Sequence, residues 1–202
     1  MCSEALSARE TTTASMGGLG DDPDKGRRCT RWEGLRPFAD DGFTMEIDVV
    51  WGAAEAPTEL SAFDAALAEA GVHNYNLLQL SSVVPADATV VEAGRHEQSA
   101  PTGTPVSVVL AERSSSTDGE TLAAGLGWAT SPSGGVFMEA TGDSETEVRA
   151  ELRASLAGAK ELREWDWREE TLCVRGHTVE DTGSVVVAAV YPGFRVPWIH
   201  DE

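Results

Sequence analysis

The chain has 202 residues and a formal net charge of −19. That length suffices for one sizeable domain with a tail, and a body so acidic repels nucleic acid and anionic lipid, so neither is an expected partner. The cysteines, Cys2, Cys29 and Cys173, are odd in number and lack C-x-x-C spacing, which argues against a disulfide framework and against a thiolate zinc site.

No apolar run approaches the roughly 18 residues that span a bilayer, and the N-terminus "MCSEALSARETTTASMGG" lacks the apolar core of a secretory signal. The expected location is cytoplasmic. Only Lys25 and Lys160 supply lysine, while Asp and Glu number 34. Dense carboxylates with little lysine suit a salt-rich cytoplasm, where screening relieves their repulsion; a halophilic source is expected, with an acidic mesophilic one as the alternative.

Residues 1–41 are rich in Ser, Thr, Gly, Asp and Arg without sustained periodicity, and they are read as a disordered extension. The folded domain is expected over 42–202. "FTMEIDVVWG" alternates Phe43, Met45, Ile47 and Val49 on one face, a strand pattern. "TELSAFDAALAEAGVHN" follows, with Leu60, Phe63, Leu67 and Ala70 at helical spacing and Gly71 suited to a left-handed C-terminal cap. "YNLLQLSSVVP" is short and apolar and reads as one buried strand. "TPVSVVLAER", "GETLAAGLGWAT" and "GGVFMEATG" read as further strands, the first two joined by a Ser-rich connection.

"DSETEVRAELRASLAGAKELREW" has Ser144 and Glu147 in a capping-box pattern and one apolar stripe of Val148, Leu152, Leu156 and Ala159. "REETLCVRGHTVED" and "GSVVVAAVYP" read as two closing strands. The result is a strand-rich α+β domain in which sheet faces left uncovered by the helices must pack on each other.

Several chemistries lack their residues. There is no G-x-x-x-x-G-K-[ST] loop, no G-x-S-x-G and no H-E-x-x-H, and His73, His96, His177 and His200 are scattered; no metal is expected. Lys25 lies in the tail and Lys160 on a charged helix, so a lysine-bound cofactor such as PLP has no suitable anchor.

What stands out instead is "LSSVVP". A Ser-Ser pair in a strained turn can undergo an N-to-O acyl shift. The resulting ester eliminates to dehydroalanine, which hydrolyses with loss of ammonia to a pyruvoyl group. Such a ketone captures amines as Schiff bases and accepts the electrons of a carbanion. The pair alone is a weak signal, and a plain turn is its alternative.

The surroundings carry more. "LSAFDAALAEAGVHNYNLLQLSSVVPADATV", residues 60–90, resembles the signature region of the pyruvoyl-dependent arginine decarboxylase family, with A-F-D-x-A-L, A-G-x-x-N-x-N-L and S-S-[IV]-x-P in order. "GTPVSVVLAERSSSTDGETLAAGLGWA" resembles that family's central hairpin. "GVFMEATG" resembles its M-E-x-x-G strand, and "GHTVEDTGSVVVAAVY" its closing hairpin. The match spans about 43–191; one departure is Pro85-Ala86 where relatives often carry two prolines.

The resemblance implies a four-layer αββα sandwich, assembled as a homotrimer of cleaved protomers or a dimer of such trimers, with sites between neighbouring subunits. It implies cleavage between Ser81 and Ser82 and a covalent pyruvoyl group made from Ser82. Asn76 would hydrogen-bond the oxyanion of the shift and later the substrate, or else be a structural strand-end asparagine. Glu139 would protonate the carbanion; a general acid must hold a proton near neutrality, so burial is expected there. Asp64 would face the guanidinium of arginine, or be a helix-start acid favoured by the dipole. Leu67 would line the aliphatic part of the pocket or simply pack the core, and Leu60 is a further, weaker lining residue.

The implied reaction is L-arginine to agmatine and carbon dioxide, with agmatine passing to polyamine synthesis or RNA modification. Two alternatives stay open: a pyruvoyl decarboxylase for histidine or ornithine, and a non-cleaving homologue serving as partner subunit or binding module. From the carboxylate density, activity is expected to rise toward molar potassium chloride; an activity assay across a salt series checks this, and best activity in dilute buffer would exclude a halophilic source.

Overall fold

The computed structural model describes residues 45–97 and 100–191. The expectations for 1–41, Phe43 and His200 therefore lie outside the described residues. Among those described, the order is β1 (Glu46–Glu55), α1 (Glu59–Ala70), β2 (Asn76–Gln79), β3 (Val83–Val84), β4 (Thr89–Gly94), β5 (Pro105–Ser115), β6 (Thr121–Ser131), β7 (Gly134–Gly142), α2 (Glu145–Glu161), β8 (Glu170–Thr178) and β9 (Gly183–Val190). No helix among the described residues is long and apolar enough to cross a membrane.

The fold is α+β, with two sheets and two helices. One sheet runs β2-β5-β9-β1-β4 and the other β3-β7-β6-β8. In the first, β9 is antiparallel to both β1 and β5, while the two edge strands join in parallel, β4 to β1 and β2 to β5. The second is antiparallel throughout.

β9 shows why the sheets stack. All eight of its residues are buried, because its alternation serves two interiors. Val185, Val187 and Ala189 join Leu122, Leu126, Trp128 and Phe137 of the second sheet in one core cluster. Val186, Ala188 and Val190 pack with Ala66, Leu67 and Ala70 of α1. On the second sheet, α2 sets Val148 and Leu152 against Ala123 and Val174, and Leu156 and Ala159 against Ala129 and Val136. The uncovered sheet faces thus pack on each other, as the strand pattern requires.

α1 starts at Thr58, whose side chain accepts from Ser61 N while the Ser61 hydroxyl accepts from Thr58 N. It ends at Gly71 with φ 84°. Its buried stripe is Ala62, Ala66, Leu67 and Ala70. Leu60 precedes Ala62 by two residues, about 200° around the helix, and is 77% exposed; the expectation that it shares the buried stripe is corrected. Gly52 lets α1 lie directly on β1, because a Cβ there would sit 2.2 Å from Ala66 O.

α2 carries its predicted stripe, and Ser144 caps it by accepting from Glu147 N at 3.2 Å. The return bond differs from the expected box: the Glu147 carboxylate accepts from Asp143 N, one residue further back.

Three expectations about strands change. "YNLLQLSSVVP" is two short strands in different sheets, mostly exposed or half-buried, because each sits at an edge with neighbours on one side only. β4 appears where no strand was expected: it is a half-buried edge strand whose parallel partner, β1, lies far back in the chain. Neither expected hairpin is one, since β5 and β9 belong to the first sheet and β6 and β8 to the second. The β8–β9 turn is pinned to β1 by Glu55, which accepts from Glu180 N and Asp181 N at 3.2 Å and lies 2.5 Å from His177 Nε2.

Two glycines give opposite expectations. Gly52→Ala forces a Cβ into backbone and should cost about 1–3 kcal/mol. Gly158, inside α2 with nothing within 4 Å of a would-be Cβ, should gain about 0.4–1 kcal/mol as Gly158→Ala. Chemical denaturation of the two variants checks both signs.

Candidate active site

The segment between β2 and β3 crosses from one sheet to the other. Leu80 N still bonds Val108 O of the first sheet at 2.8 Å, and Ser82 O already accepts from Phe137 N of the second at 2.8 Å. Ser81, exposed, lies between these two anchors. Ser82 makes the change of direction with φ 63°. A non-glycine residue in that left-handed region carries roughly 1–2 kcal/mol of backbone strain.

Beyond the crossing, Val83 and Val84 pair with Val136 and Gly135 of β7, and Val84 anchors the segment in the inter-sheet core. Pro85 then opens a turn in which Ala88 N bonds Pro85 O, and Asp87 takes φ 66°. Because β3 is only two residues long, it covers the start of β7 and leaves the rest of that edge open.

Glu139 sits on the uncovered part. Alternation puts it on the same face of β7 as Phe137, opposite Leu126 of β6. The Ser82 hydroxyl donates to this carboxylate, 3.0 Å from Oε2 and 3.3 Å from Oε1. A serine in strained backbone is thereby joined to a group able to take its proton. The burial expected of Glu139 is not found: its side chain is exposed in the single chain, because β7 lacks a neighbouring strand there.

The other predicted residues do not converge on this pair within one chain. Asn76 is exposed at the start of β2, and its amide donates to Gly103 O at 2.7 Å. Leu67 is 7% exposed under α1, which matches its core-packing reading. Asp64 is exposed on α1 and makes no ion pair among the described residues. Leu60 shares that outer helical face, four residues back.

Two contacts at the site were not anticipated. One is the backbone N–H of Phe137 on the Ser82 carbonyl. The other is Tyr191, whose hydroxyl donates to Val83 O at 3.0 Å. Burial pushes this phenol well above its usual pKa, and the Glu139 charge adds to the effect. The signal for Tyr191 was the polar-tipped aromatic closing the apolar run "GSVVVAAVY". Cys173 is inert by comparison: it is buried, and burial pushes its thiol up to about 11.

Comparison with known proteins shows what the chain is similar to. The family described as pyruvoyl-dependent arginine decarboxylase matches residues 46–195. A pyruvoyl-dependent arginine decarboxylase of Halobacterium salinarum is 39% identical over 150 residues, 71% of this chain and 92% of the relative. The protein of that name from Methanothermobacter thermautotrophicus is 32% identical over 73% of this chain and 96% of its own. The one from Methanocaldococcus jannaschii is 33% identical over 71% and 87%.

Proposed function

The chain belongs to the pyruvoyl-dependent arginine decarboxylase family, and from that premise we propose that it cuts itself between Ser81 and Ser82 and converts L-arginine to agmatine and carbon dioxide at the chain end so created. The observation that carries the reading is Ser82 itself, left-handed at the crossing and 3.0 Å from a Glu139 oxygen.

In the cut, the Ser82 hydroxyl passes its proton toward Glu139, and Oγ bonds the Ser81 carbonyl carbon. The Ser81–Ser82 C–N bond breaks and the freed nitrogen takes up a proton. The ester then eliminates: the Ser82 Cα proton leaves, and Ser81 departs as a carboxylate. The dehydroalanine tautomerises to an imine and adds water, ammonia leaves, and residue 82 is a pyruvoyl group.

That group supplies a ketone for the substrate amine and an electron sink for the bond to carbon dioxide. The Phe137 N–H keeps the residue 82 carbonyl oriented in the plane this sink requires. Glu139, on the same strand, is set to hand a proton to the substrate carbon that loses carbon dioxide. Asn76, exposed at the far end of β2, is assigned to the oxyanion of the cut and then to the substrate of a neighbouring subunit's site rather than of its own.

Asp64 is assigned to the guanidinium, but from a neighbouring subunit. It lies on the solvent side of α1, which covers the outer face of the first sheet, while Ser82 and Glu139 lie against the second sheet. A homotrimer, each site completed by a neighbour's α1 with Asp64 and Leu60, accounts for that separation, for the exposure of Glu139 and for exposed Leu78 and Val83. Leu67 then acts by seating the helix. The three sets of apolar contacts support the layer order helix, sheet, sheet, helix, a four-layer αββα sandwich. The carboxylate density supports a halophilic enzyme.

Native protein is expected to run as fragments 1–81 and 82–202, the larger resisting Edman sequencing because a pyruvoyl end has no amine. Ser82→Ala should remove cleavage and activity together, whereas Ser81→Ala can still process. Intact mass with an agmatine assay decides, and a fully active single chain would sink the mechanism. Glu139→Gln keeps the shape but loses the transferable proton. Turnover per cleaved chain should fall by about 10²–10⁴ with little change in arginine affinity; a wild-type rate would make Glu139 structural.

A further inference from the structure

The carbonyls of two successive residues, 82 and 83, are held by donors from different sheets. Ser82 O accepts from Phe137 N of β7, and Val83 O accepts from the Tyr191 hydroxyl at 3.0 Å. Tyr191 follows β9 of the first sheet, where its own N–H bonds Ser107 O at 3.0 Å. Its ring is buried and meets Phe137 edge-on at 6.4 Å, and Phe137 in turn packs on Trp128 at 5.8 Å. The phenol therefore reaches from one sheet to the strand of the other, on a rigid aromatic base.

Before the cut, this segment is tied on both sides, through Leu80 N to Val108 O in front and through β3 behind. After it, residue 82 is a chain end and the front tie is lost. β3 offers only two residues of pairing, and the Val83 side chain is 48% exposed, so it adds little packing. What holds the end itself is the Phe137 N–H and the Tyr191 hydroxyl, with buried Val84 the first core anchor behind them.

We propose that Tyr191 is a positioning residue that holds the new chain end in place through Val83 O, so that residue 82 stays against Glu139. The idea rests on the reading of Ser82 given above. Burial and the Glu139 charge keep the phenol protonated well past neutral pH, so it remains a donor wherever the enzyme works. Its importance is greater after the cut than before. Misplacement of a reacting group by about 1 Å can cost about 10²-fold in rate, and one lost hydrogen bond is on the order of tenfold.

The test is Tyr191→Phe in the full chain. Cleavage is read by intact mass, carbonyl ends are counted by phenylhydrazine capture, and decarboxylation is measured per carbonyl end across pH. The expected result is near-complete cleavage, turnover per end down about tenfold, KM within about twofold, and a pH profile unchanged in shape. Wild-type turnover per end would leave Tyr191 a core tyrosine. A rise in KM alone would make it a binding residue, and loss of the alkaline limb a proton donor; each overturns the proposal. An uncut chain without carbonyl ends in the wild type would instead defeat the reading of Ser82.

A second measurement covers a variant that fails to fold or cut. Tyr75 and Tyr191 are the chain's two tyrosines, and Tyr75 lies in the cluster under α1 rather than between the sheets. In wild-type enzyme labelled with 3-fluorotyrosine, trapping the carbonyl with phenylhydrazine should shift the Tyr191 fluorine resonance and leave that of Tyr75 in place. An unmoved Tyr191 resonance would overturn the proposal without any variant.

Discussion

The chain must leave one sheet at Leu80 and be hydrogen-bonded into the other at Ser82, with a single residue between. Stacked sheets stand about 10 Å apart, and two residues reach about 7 Å at full extension. The crossing is therefore taut and confined to the sheet edges, where the layers can approach. Ser82 absorbs the turn by taking a positive φ, and the Phe137 N–H fixes the carbonyl that results. The direction of the Ser82 hydroxyl, its meeting with Glu139 and the position of Val83 under Tyr191 all follow from that one step.

The remainder of the molecule keeps the two ends of the crossing immobile. β9 buries both of its faces and β6 nearly so, which fixes the first sheet between α1 and the second sheet, and the second between α2 and the first. Gly52 lets the first helix settle against β1. The short β3 is equally necessary. Were it longer, it would pair along β7 past Phe137 and cover the strand edge on which Glu139 stands.

Helices were legible because their signals are local. Gly71 and Ser144 mark ends within a few residues of the elements they cap, and Val148, Leu152, Leu156 and Ala159 repeat at one spacing. Leu60 misled because α1 is turned by small residues, Ala62, Ala66 and Ala70, which fit closely on the sheet but give a weak apolar pattern. The edge strands were legible unevenly: β8 was read as a strand, β2 and β3 were read as one, and β4 was missed. β4 and β2 are held by parallel partners remote in sequence, and their half-exposed residues lack clean alternation. Ser82 and Glu139 could be named from their motifs, but their contact spans 57 positions and no spacing rule foretells it. Tyr191 was harder still, because its role depends on the register of β9 against β5.

The crossing also decides what a break there does to the molecule. Residues up to Ser81 include β1, which lies between β9 and β4 with eight residue pairs to β9 alone, and α1, which is packed over that sheet. A nick at the crossing removes no strand from either sheet, so the two pieces stay interlocked as a heterodimer of fragments. Yet they can no longer find each other as one chain does. Once unfolded they must meet by diffusion, and the piece ending at Ser81 holds only three of the described elements. Durability of a chain so cut would then be a matter of how slowly it opens rather than of a reversible folding equilibrium: the uncut chain folds as one piece, and a cut at the crossing would make that success a one-way state.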